Sequence, residues 1–425
     1  MAMTQPAIDL TPLDVRGDMS PVAGCGPRIV VFTTLFPNPR QPRLGVFVRD
    51  RVVAVAAHCP SRVVAPILTR LVAQHLDRGP GVPVPRMERH AGFEVYHPRF
   101  TTLPGVGRVA DALLLFLQTL PAVRRLHATF AFEAIDAHYA FPDGAAALLL
   151  GRHFGVPVCV TLRGGDIDLL PRFRMRRRVI QRTLRRADRV FAVSQHLARG
   201  AVALGLPPKR LRIIPNGIDP HTFSPMDRST ARAGLKISMQ QPLLLCVGNL
   251  LAEKGQHVLI DALDVLRRRG TVAPHLTIVG SDQWGKRRYT EQLKQRIREL
   301  GLASQVTFAG SQPQAALRQW YSAADLLVLP TFREGCPNVV REALACGTPV
   351  VASNVGGVPE LIGSDAVGLL VAPGDVVGLA GAIEAALQRE WDRAAIATVG
   401  GQRTWSTVGA LVASELRALA EEGSH

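Results

Sequence analysis

The chain has 425 residues, of which 47% are apolar and 20% charged. That length suits two or three domains with a core each, which excludes a peptide hormone, a disulfide-stapled toxin and a small DNA-reading module. The whole excess of 16 positive charges lies in the first half, with 30 Lys and Arg against 14 Asp and Glu up to Pro215 and 20 against 20 after it. This asymmetry indicates either a lobe that faces an anionic surface or an arginine-rich codon bias.

Six cysteines are scattered along the chain, with no C-x-x-C pair and no Cys/His cluster at metal-binding spacing. The pattern favours reduced thiols in a cytosolic protein. The N-terminal residues carry acids and lack a basic segment before an apolar core, and no stretch reaches about 18 uninterrupted apolar residues. We therefore expect neither export nor a membrane span.

The first half predicts a tail followed by an α/β domain. Residues 1–27 mix Pro, Gly, Asp and Thr without a period, which predicts a loose tail. Short apolar runs then alternate with helical segments, as in an open, mostly parallel sheet, and the predicted domain spans residues 28–212. Strands are predicted at residues 28–34, 61–65, 134–137, 157–162 and 189–193, and helices at 145–154 and near His196.

The second half repeats this alternation after a turn-rich stretch, residues 209–225, that predicts a linker. We expect a second doubly wound domain over residues 213–388 and a helical segment over 389–425. In such sheets the ligand lies beyond the carboxyl ends of the strands, so two facing domains predict a site in the cleft between them. Strands are predicted at residues 242–249, 276–280, 305–310, 325–330 and 348–353.

The segment EGCPNVVREALACG, which begins at Glu334, has the features of an anion site. Pro337 suits the first turn of a helix, and the N–H groups near Asn338 and Val339, with the helix dipole behind them, can hold a diphosphate. Glu342 lies eight residues after Glu334, so two carboxylates can accept hydrogen bonds from two hydroxyl-bearing parts of one nucleotide-sugar. The alternative is that Glu334 caps the helix and Glu342 is solvated.

With this segment the chain resembles the retaining family-4 glycosyltransferases, whose GT-B fold has two Rossmann-like domains facing across a cleft. Glu334 and Glu342 match the E-x7-E pair of that family. The resemblance implies that Glu334 contacts the hydroxyls of the donor sugar and that Glu342 contacts the ribose. Further matches are the PNGID string from Pro215, the EKG turn around Lys254, the YSAAD string ending at Asp325 and the GGVPE string from Gly356.

The resemblance also implies how the diphosphate is held. The amides of Gly335, Asn338 and Val339 would face the diphosphate and the sugar. Lys254 matches one of the two cations that the family places on the diphosphate. The other, usually an arginine, is replaced by Asn249, so the leaving group would depend on Lys254 and the helix start, or on an arginine from elsewhere.

Two strings of the first half match the family less closely. FPNPRQPRLGVFV has only Gly45, which the resemblance implies lies in the donor-binding loop, where many members have adjacent glycines. The form of this string resembles a subgroup that builds bacterial cell-surface polysaccharides such as teichuronic acid. His138 matches the histidine that contacts the donor sugar near the transferring carbon, and Arg163 stands where histidine is frequent. Without the family, His138 is more typical of a core or loop residue. Asp166 is predicted to orient its loop, to contact the acceptor, or to form a turn only.

An arginine-rich helix is predicted in the first domain. The stretch from Arg172 to Arg189 holds nine arginines in eighteen residues. Such a helix either lies on anionic lipid headgroups, which would bring the acceptor domain to the inner face of the cell membrane, or presents a solvated face. A modest apolar side at helical spacing is formed by Phe173, Val179, Ile180 and Leu184.

The sequence thus predicts a cytoplasmic retaining glycosyltransferase that moves a hexose-type unit from a nucleotide-diphosphate sugar to a glycan or lipid-linked acceptor hydroxyl, without a metal ion. A nucleotide-sugar 2-epimerase on the same fold and a non-catalytic protein that binds anionic surfaces are the alternatives. No aromatic stacking platform or recognition helix favours nucleic acid. Residues 280–287, GSDQWGKR, have the spacing of a phosphate loop, but arginine replaces the Ser or Thr that binds Mg²⁺, which predicts a plain turn.

Overall fold

The computed structural model describes residues 26–69, 83–90, 92–103, 110–282 and 287–423. Nearly all of the predicted tail, together with Cys25, lies outside these residues, and so do residues 283–286 of the GSDQWGKR string. The described chain divides into two compact units. The first contains residues up to Gly217 and from Trp405 onward, and the second contains residues 218–404.

The first unit is built on a sheet with all its central strands parallel. Its described strands are β1 (Ile29–Phe32), β2 (Ser61–Val64), β3 (Ile67–Leu68), β4 (Met87–His90), β5 (Phe93–Tyr96), β6 (Arg99–Phe100), β7 (Ala134–His138), β8 (Val158–Leu162), β9 (Arg189–Ala192) and β10 (Leu211–Ile213). Eight of them pair in the order β10-β9-β8-β7-β1-β2-β5-β4, with only β4 antiparallel to its neighbour, and β3 pairs with β6. Every residue of β1, β7, β8 and β9 is buried, as expected for a sheet covered on both faces.

Helices that connect these strands cover the sheet. They are α1 (Val46–Ala56), α2 (Asp111–Phe130), α3 (Ala145–Phe154), α4 (Gly165–Asp168), α5 (Arg174–Arg186) and α6 (Gln195–Ala203). Ser194 caps α6 by accepting a hydrogen bond from the Leu197 N–H, which satisfies one of the N–H groups that the helix itself leaves unbonded.

The second unit has a fully parallel sheet in the order β13-β12-β11-β14-β15-β16, made of β11 (Leu243–Val247), β12 (His275–Val279), β13 (Val306–Gly310), β14 (Leu326–Leu329), β15 (Val350–Ser353) and β16 (Gly368–Val371). This is the strand order of a Rossmann sheet. Its helices are α7 (Arg228–Leu235), α8 (Gln256–Arg269), α9 (Arg287–Glu299), α10 (Gln314–Ala323), α11 (Asn338–Ala345), α12 (Val358–Leu361), α13 (Val376–Gln388) and α14 (Arg393–Gly401).

The strands predicted in both halves are confirmed to within two residues at each end. The predicted linker, residues 209–225, is wrong at its start, because residues 211–213 form β10 and pair with β9. Three residues at a sheet edge are too few for a periodic pattern, so this strand left no signal in the sequence. The short strands of residues 87–100 and β16 were also missed.

The last helix, α15 (Trp405–Gly423), belongs to the first unit. Its residues Val412 and Leu416 are buried in the same core as Val52 of α1, and Arg212 Nε lies 3.0 Å from Glu415 Oε1. The sequence placed the domain ends at residues 212 and 388 and grouped 389–425 together. In the structure the units are divided after residues 217 and 404, so α14 and α15 lie in different units.

Helix α14 packs closely against α11, and Gly400 is the point of closest approach. A Cβ on Gly400 would lie 2.1 Å from the Ala345 backbone nitrogen, whereas one on Gly401 would meet no atom within 4 Å. Gly400→Ala should therefore lower the melting temperature, since overpacking costs about 1–3 kcal/mol. Gly401→Ala is the matched control and should be neutral or slightly stabilising. Equal melting temperatures for the two variants would contradict this packing.

Candidate functional site

In the second unit, the predicted site residues meet where the strand order changes direction. That change falls between β11 and β14, and in doubly wound sheets ligands bind beyond the carboxyl ends of the strands at this point. The turn after β11 carries Asn249 and Lys254, and the loop after β14 carries Glu334. The structure thus brings the residue predicted for the sugar to the residue predicted for the diphosphate.

Lys254 and Glu334 form an ion pair. Lys254 Nζ lies 2.5 Å from Glu334 Oε1, with 22% and 12% of the two side chains exposed. The two loops are also joined through the Glu253 carbonyl, which accepts hydrogen bonds from Thr331 Oγ1 at 3.0 Å and from the Phe332 N–H at 2.8 Å. Glu334 is therefore held by a cation, and the alternative in which it caps α11 is wrong.

Two glycines allow these loops to approach each other directly. Gly255 has φ 71°, and a Cβ there would lie 1.9 Å from the Pro330 carbonyl oxygen. Gly356 has φ 56°, and a Cβ there would lie 1.7 Å from the Glu334 carbonyl oxygen. Neither position can hold a side chain without moving the backbone of the loop opposite. The glycines of the EKG and GGVPE strings thus fix where Lys254 and Glu334 stand.

Helix α11 turns one face to the core, and its opposite face is half-buried. Its residues Val340, Ala343 and Leu344 are buried. Asn338, Arg341 and Glu342 are half-buried and, at spacings of three and four residues, share the opposite face.

Glu342 accepts a hydrogen bond from the hydroxyl of the buried Tyr321 at 2.8 Å. Burial, reinforced by this carboxylate, raises the pKa of Tyr321 well above its usual value, so the hydroxyl stays a donor. The alternative of Glu342 as a solvated side chain is therefore wrong.

The first turn of α11 lies beside the ion pair. The N-cap residue of α11 is Pro337, whose side chain cannot accept a hydrogen bond from the first N–H groups of the helix, those of Asn338 and Val339. Gly335 lies in the loop just before the helix and is half-buried. Asn249 contributes its backbone oxygen to Gln256 Nε2 at 3.0 Å and brings no charge to the site.

In the first unit, His138 ends β7 and is fully buried. Its Nδ1 accepts hydrogen bonds from Arg163 Nε at 3.2 Å and Nη2 at 2.7 Å. Because a guanidinium only donates, the ring proton sits on Nε2, which faces Asp136 Oδ2 at 3.5 Å. Burial lowers the pKa of His138 to about 3, with the Arg163 charge adding to this effect and Asp136 opposing it. The His138 ring is thus neutral and accepts hydrogen bonds from Arg163.

A buried ion pair supports this histidine. Arg51 Nη2 lies 3.0 Å from Asp136 Oδ2, and both side chains are 3% exposed. Thr161 joins them, accepting from Arg51 Nη1 at 2.8 Å and donating to Asp136 Oδ1 at 3.2 Å. Burial alone would raise the pKa of Asp136, but the charge of Arg51 and the hydrogen bond from His138 lower it to about 2. The carboxylate therefore stays ionised.

Arg163 is the half-buried outer member of this group. It stacks over the Phe47 ring, with its Cζ 5.0 Å from the ring centroid, and donates from Nη1 to Asn216 Oδ1 at 2.9 Å. Asn216 belongs to the PNGID string, so a residue of a string that matches the family holds the Arg163 side chain.

The neighbouring Asp166 and Gly45 shape the backbone. The buried Asp166 carboxylate accepts from the Ala140, Arg163 and Gly164 N–H groups at 3.0, 3.1 and 2.8 Å, so it orients its loop. Gly45 is buried before α1, against the Leu35 carbonyl.

Helix α5 contains most of the predicted arginine-rich stretch. Among the described acidic side chains, none forms an ion pair with an arginine between residues 174 and 186. The predicted apolar side is partly wrong, because Ile180 and Leu184 are buried in the first unit. Phe173 and Met175, each more than half exposed, are the apolar side chains that remain outside. In the described part of the chain, no helix is both long and apolar enough to cross a bilayer.

Comparison with known proteins places this chain among glycosyltransferases. The family described as Glycosyl transferases group 1 matches residues 227–402, and Glycosyltransferase Family 4 matches residues 82–222. A D-inositol 3-phosphate glycosyltransferase of Geodermatophilus obscurus is 30% identical over 390 residues, 87% of this chain and 84% of the relative. TuaC of Bacillus subtilis, whose name places it in teichuronic acid biosynthesis, is 29% identical over 374 residues, 84% of this chain and 88% of the relative. The chain belongs to the family-4 glycosyltransferases.

Solved structures agree with this fold. Sucrose-phosphate synthase from Thermosynechococcus elongatus has a TM-score of 0.76 at 23% identity, over 93% of this chain and 100% of its own. HepE of Anabaena, in complex with UDP and glucose, has a TM-score of 0.70 at 23% identity, over 92% of this chain and 99% of its own. The predicted fold class, an α/β chain with two Rossmann-like domains of GT-B type, is confirmed.

Sequence reasoning missed the partners of the site residues. Tyr321 lies within the YSAAD string that was matched, but nothing in the string indicates that its hydroxyl reaches Glu342. Asp136 is a charged residue within an apolar run, which is a signal of buried pairing, whereas Arg51 follows the charged residues Arg49 and Asp50 and carries no such signal.

The buried position of His138 makes a testable prediction about its protonation. The His138 ring should stay neutral from pH 8 down to pH 5, because its pKa is lowered to about 3 by burial. In protein labelled with ¹³C-histidine, the Cε1–H signal that disappears in His138→Asn should not shift over this range. A signal that disappears in this variant but titrates near pH 6.5, the ordinary value for histidine, would contradict the buried arrangement.

Proposed function

We propose that the chain transfers a hexose-type sugar from a nucleotide-diphosphate sugar to an acceptor hydroxyl with retention of anomeric configuration, in the synthesis of a cell-surface polysaccharide or glycolipid. The observation that carries this proposal is the Lys254–Glu334 ion pair beside the first turn of α11, at the point where the strand order reverses. The cation and the helix start suit the diphosphate of such a donor, and the carboxylate suits its sugar hydroxyls.

The reaction follows from these groups. Glu342 would accept hydrogen bonds from the ribose and Glu334 from the sugar hydroxyls. Lys254 and the N–H groups of Asn338 and Val339 would stabilise the negative charge that grows on the diphosphate as its bond to the anomeric carbon breaks. The acceptor oxygen then bonds to that carbon from the same face, and its proton passes to a phosphate oxygen of the departing diphosphate. No step in this scheme needs a metal ion.

In this scheme His138 acts by holding the side chain of Arg163. The predicted contact of His138 with the donor sugar would require Arg163 to move, because the ring is fully buried and Nδ1 is occupied. We therefore assign His138 a positioning role, in which it holds the Arg163 guanidinium at the carboxyl edge of the first sheet. A histidine with a pKa of about 3 is also a poor proton carrier at neutral pH, which argues against the 2-epimerase alternative.

The relatives support the choice of substrates. HepE was solved with UDP and glucose, which favours a nucleotide-sugar donor. TuaC is named for teichuronic acid biosynthesis, which favours a cell-surface polysaccharide as the product. The non-catalytic alternative gives no reason for the ion pair to stand at a ligand-binding edge.

A donor screen tests this proposal. Purified protein incubated with UDP-, GDP- and ADP-sugars, with and without a membrane lipid extract, should release one nucleotide, and EDTA should not stop the release. Glu334→Gln and Lys254→Gln should each slow release on the order of a hundredfold or more, the usual effect of removing one group that stabilises transition-state charge. Proton NMR of the product should give the same anomeric configuration as the donor.

Lys294→Gln serves as the control, because Lys294 pairs with Glu291 on the exposed side of α9 and should not affect release. Release that survives both site substitutions would contradict the site, and absence of release from every donor would favour the non-catalytic alternative.

We also propose that the first unit works on an anionic membrane surface at the inner face of the cell membrane. The arginines of α5 without acidic partners and the exposed side chains of Phe173 and Met175 support this. Next to α5, a groove of about 710 Å³ between α2, α3 and α5 adds further apolar and basic side chains. It is lined in part by Leu113, Leu148, Leu149, Arg152, Arg182 and Arg186.

Vesicle binding tests the membrane proposal. The triple variant Arg174→Gln, Arg177→Gln, Arg178→Gln should bind vesicles of phosphatidylglycerol and phosphatidylcholine on the order of tenfold to a hundredfold more weakly than the parent protein. Binding of the parent should weaken as salt rises, because these charges are exposed. The matched control removes three arginines at the end of α8, residues 267–269. Equal binding of the two triple variants in a sedimentation assay would refute a specific role of α5.

A further inference from the structure

The groove between α2, α3 and α5 is a feature of the first unit that the proposed transfer reaction does not use. Its volume is about 710 Å³, within the range of pockets that hold a small-molecule ligand. The lining residues on α3 extend from Ala145, the first residue of the helix, to Gly155, which ends it. Because a helix rises about 1.5 Å per residue, the groove is about 15 Å long.

The groove has an apolar end and a basic end. Strands β7, β8 and β9 are parallel, so α3 and α5, which connect them, both run from the carboxyl edge of the sheet to its amino edge. Arg152 lies in the last turn of α3 and Arg186 in the last turn of α5, so the two share the end of the groove at the amino edge. Arg182 lines the groove one turn before Arg186. The other end, at the first turns of α2 and α3, is lined by Leu113 and Ala145.

The apolar lining of the groove is open to solvent. Leu113 is 51% exposed and Leu149 is 37% exposed. Leu117, four residues after Leu113 and on the same side of α2, is 52% exposed. No described part of the chain covers these side chains, and leucines exposed together mark a surface that contacts another molecule.

The basic end of the groove carries uncompensated positive charge. Arg152, Arg182 and Arg186 are exposed and have no acidic partner among the described residues. Asp188 also lines this end, and its Oδ2 accepts a hydrogen bond from the Val158 N–H at 2.8 Å. Three cations and one carboxylate leave two net positive charges, and guanidinium groups bind phosphate through paired N–H groups. The groove thus matches a molecule with a phosphate head on an apolar body.

We infer that this groove binds one anionic glycerophospholipid of the membrane, with an acyl chain along Leu113, Leu148 and Leu149 and the phosphate on the arginines of the basic end. The length fits, because one acyl chain spans half of the hydrocarbon core of a bilayer, about 15 Å. The inference rests on the proposed membrane surface and adds a specific site to it. Attachment through the groove depends on the acyl chain, whereas attraction of α5 to a charged surface does not.

Calorimetry with a single-chain lipid, below the concentration at which it forms micelles, tests the groove without a bilayer. Lauroyl lysophosphatidylglycerol should bind the parent protein. Lauroyl lysophosphatidylcholine has the same chain but no net charge, and glycerol phosphate has the charge but no chain. Each should bind roughly tenfold more weakly or less, because it lacks one of the two parts that the groove contacts.

Two double variants separate the groove from the rest of α5. Arg182→Gln with Arg186→Gln should weaken binding of lauroyl lysophosphatidylglycerol roughly tenfold to a hundredfold, as expected for loss of charge-assisted contacts. Arg174→Gln with Arg177→Gln is the matched comparison, since it removes the same charge from the same helix outside the groove. It should bind the lysolipid within about twofold of the parent.

A photoreactive group at the end of the lysolipid chain provides a readout that needs no variant. Because the phosphate is held at the basic end, the chain end should label peptides that contain Leu113 or Ala145, as identified by mass spectrometry. Labelling confined to other parts of the chain would contradict the site.

Three results of the calorimetry would overturn the inference: equal binding of the two lysolipids, equal binding of glycerol phosphate, or equal binding of the lysolipid to the two double variants. The vesicle assay of the α5 triple variant tests the membrane proposal separately. If that variant binds vesicles like its control while the groove variant loses the lysolipid, the groove stands and the role of α5 is refuted. If vesicle binding depends on α5 while the groove variant binds the lysolipid normally, only the groove is refuted.

Discussion

Direct contact between backbones is the constraint on which the site in the second unit depends. The turn at Gly255 touches the Pro330 carbonyl, and the turn at Gly356 touches the Glu334 carbonyl, in both cases closer than any Cβ would allow. With three loops held this way, Lys254 and Glu334 have little freedom to separate. The glycines that make the family's strings recognisable therefore act as spacers between loops, and the charged residues beside them carry the chemistry.

In the first unit, side chains are held in place by buried ion pairs and hydrogen bonds and not by glycines. Arg51, Asp136, His138, Arg163 and Asn216 form one continuous set of contacts from the core to the sheet edge. Breaking a buried pair leaves an uncompensated charge, which is strongly destabilising, so these side chains are held in one arrangement. The second unit thus fixes the loops at the carboxyl edge of its sheet with glycines, which have no side chain. The first unit fixes its carboxyl edge with paired side chains.

Most of the fold and the placement of the second unit's candidate residues could be predicted from the sequence, for identifiable reasons. Long buried strands such as β8 are continuous apolar runs, and the E-x7-E spacing places Glu334 and Glu342 around one helix start. The burial of His138 agrees with the core alternative, but its contact with Arg163, which Asn216 holds in turn, was not predictable, because these residues are distant in the chain. The apolar side of α5 was misjudged, because periodicity shows that a face exists and cannot say whether protein or lipid covers it.

The return of α15 to the first unit has a consequence for synthesis. Val412 and Leu416 complete a core that also contains Val52 of α1, more than 350 residues earlier in the chain. A ribosome makes the N-terminal end first, so the α1 surface must wait uncovered while the whole contiguous second unit, residues 218–404, is made. The second unit can finish folding before the first, and the nascent chain exposes the apolar surface of α1 until α15 has been made.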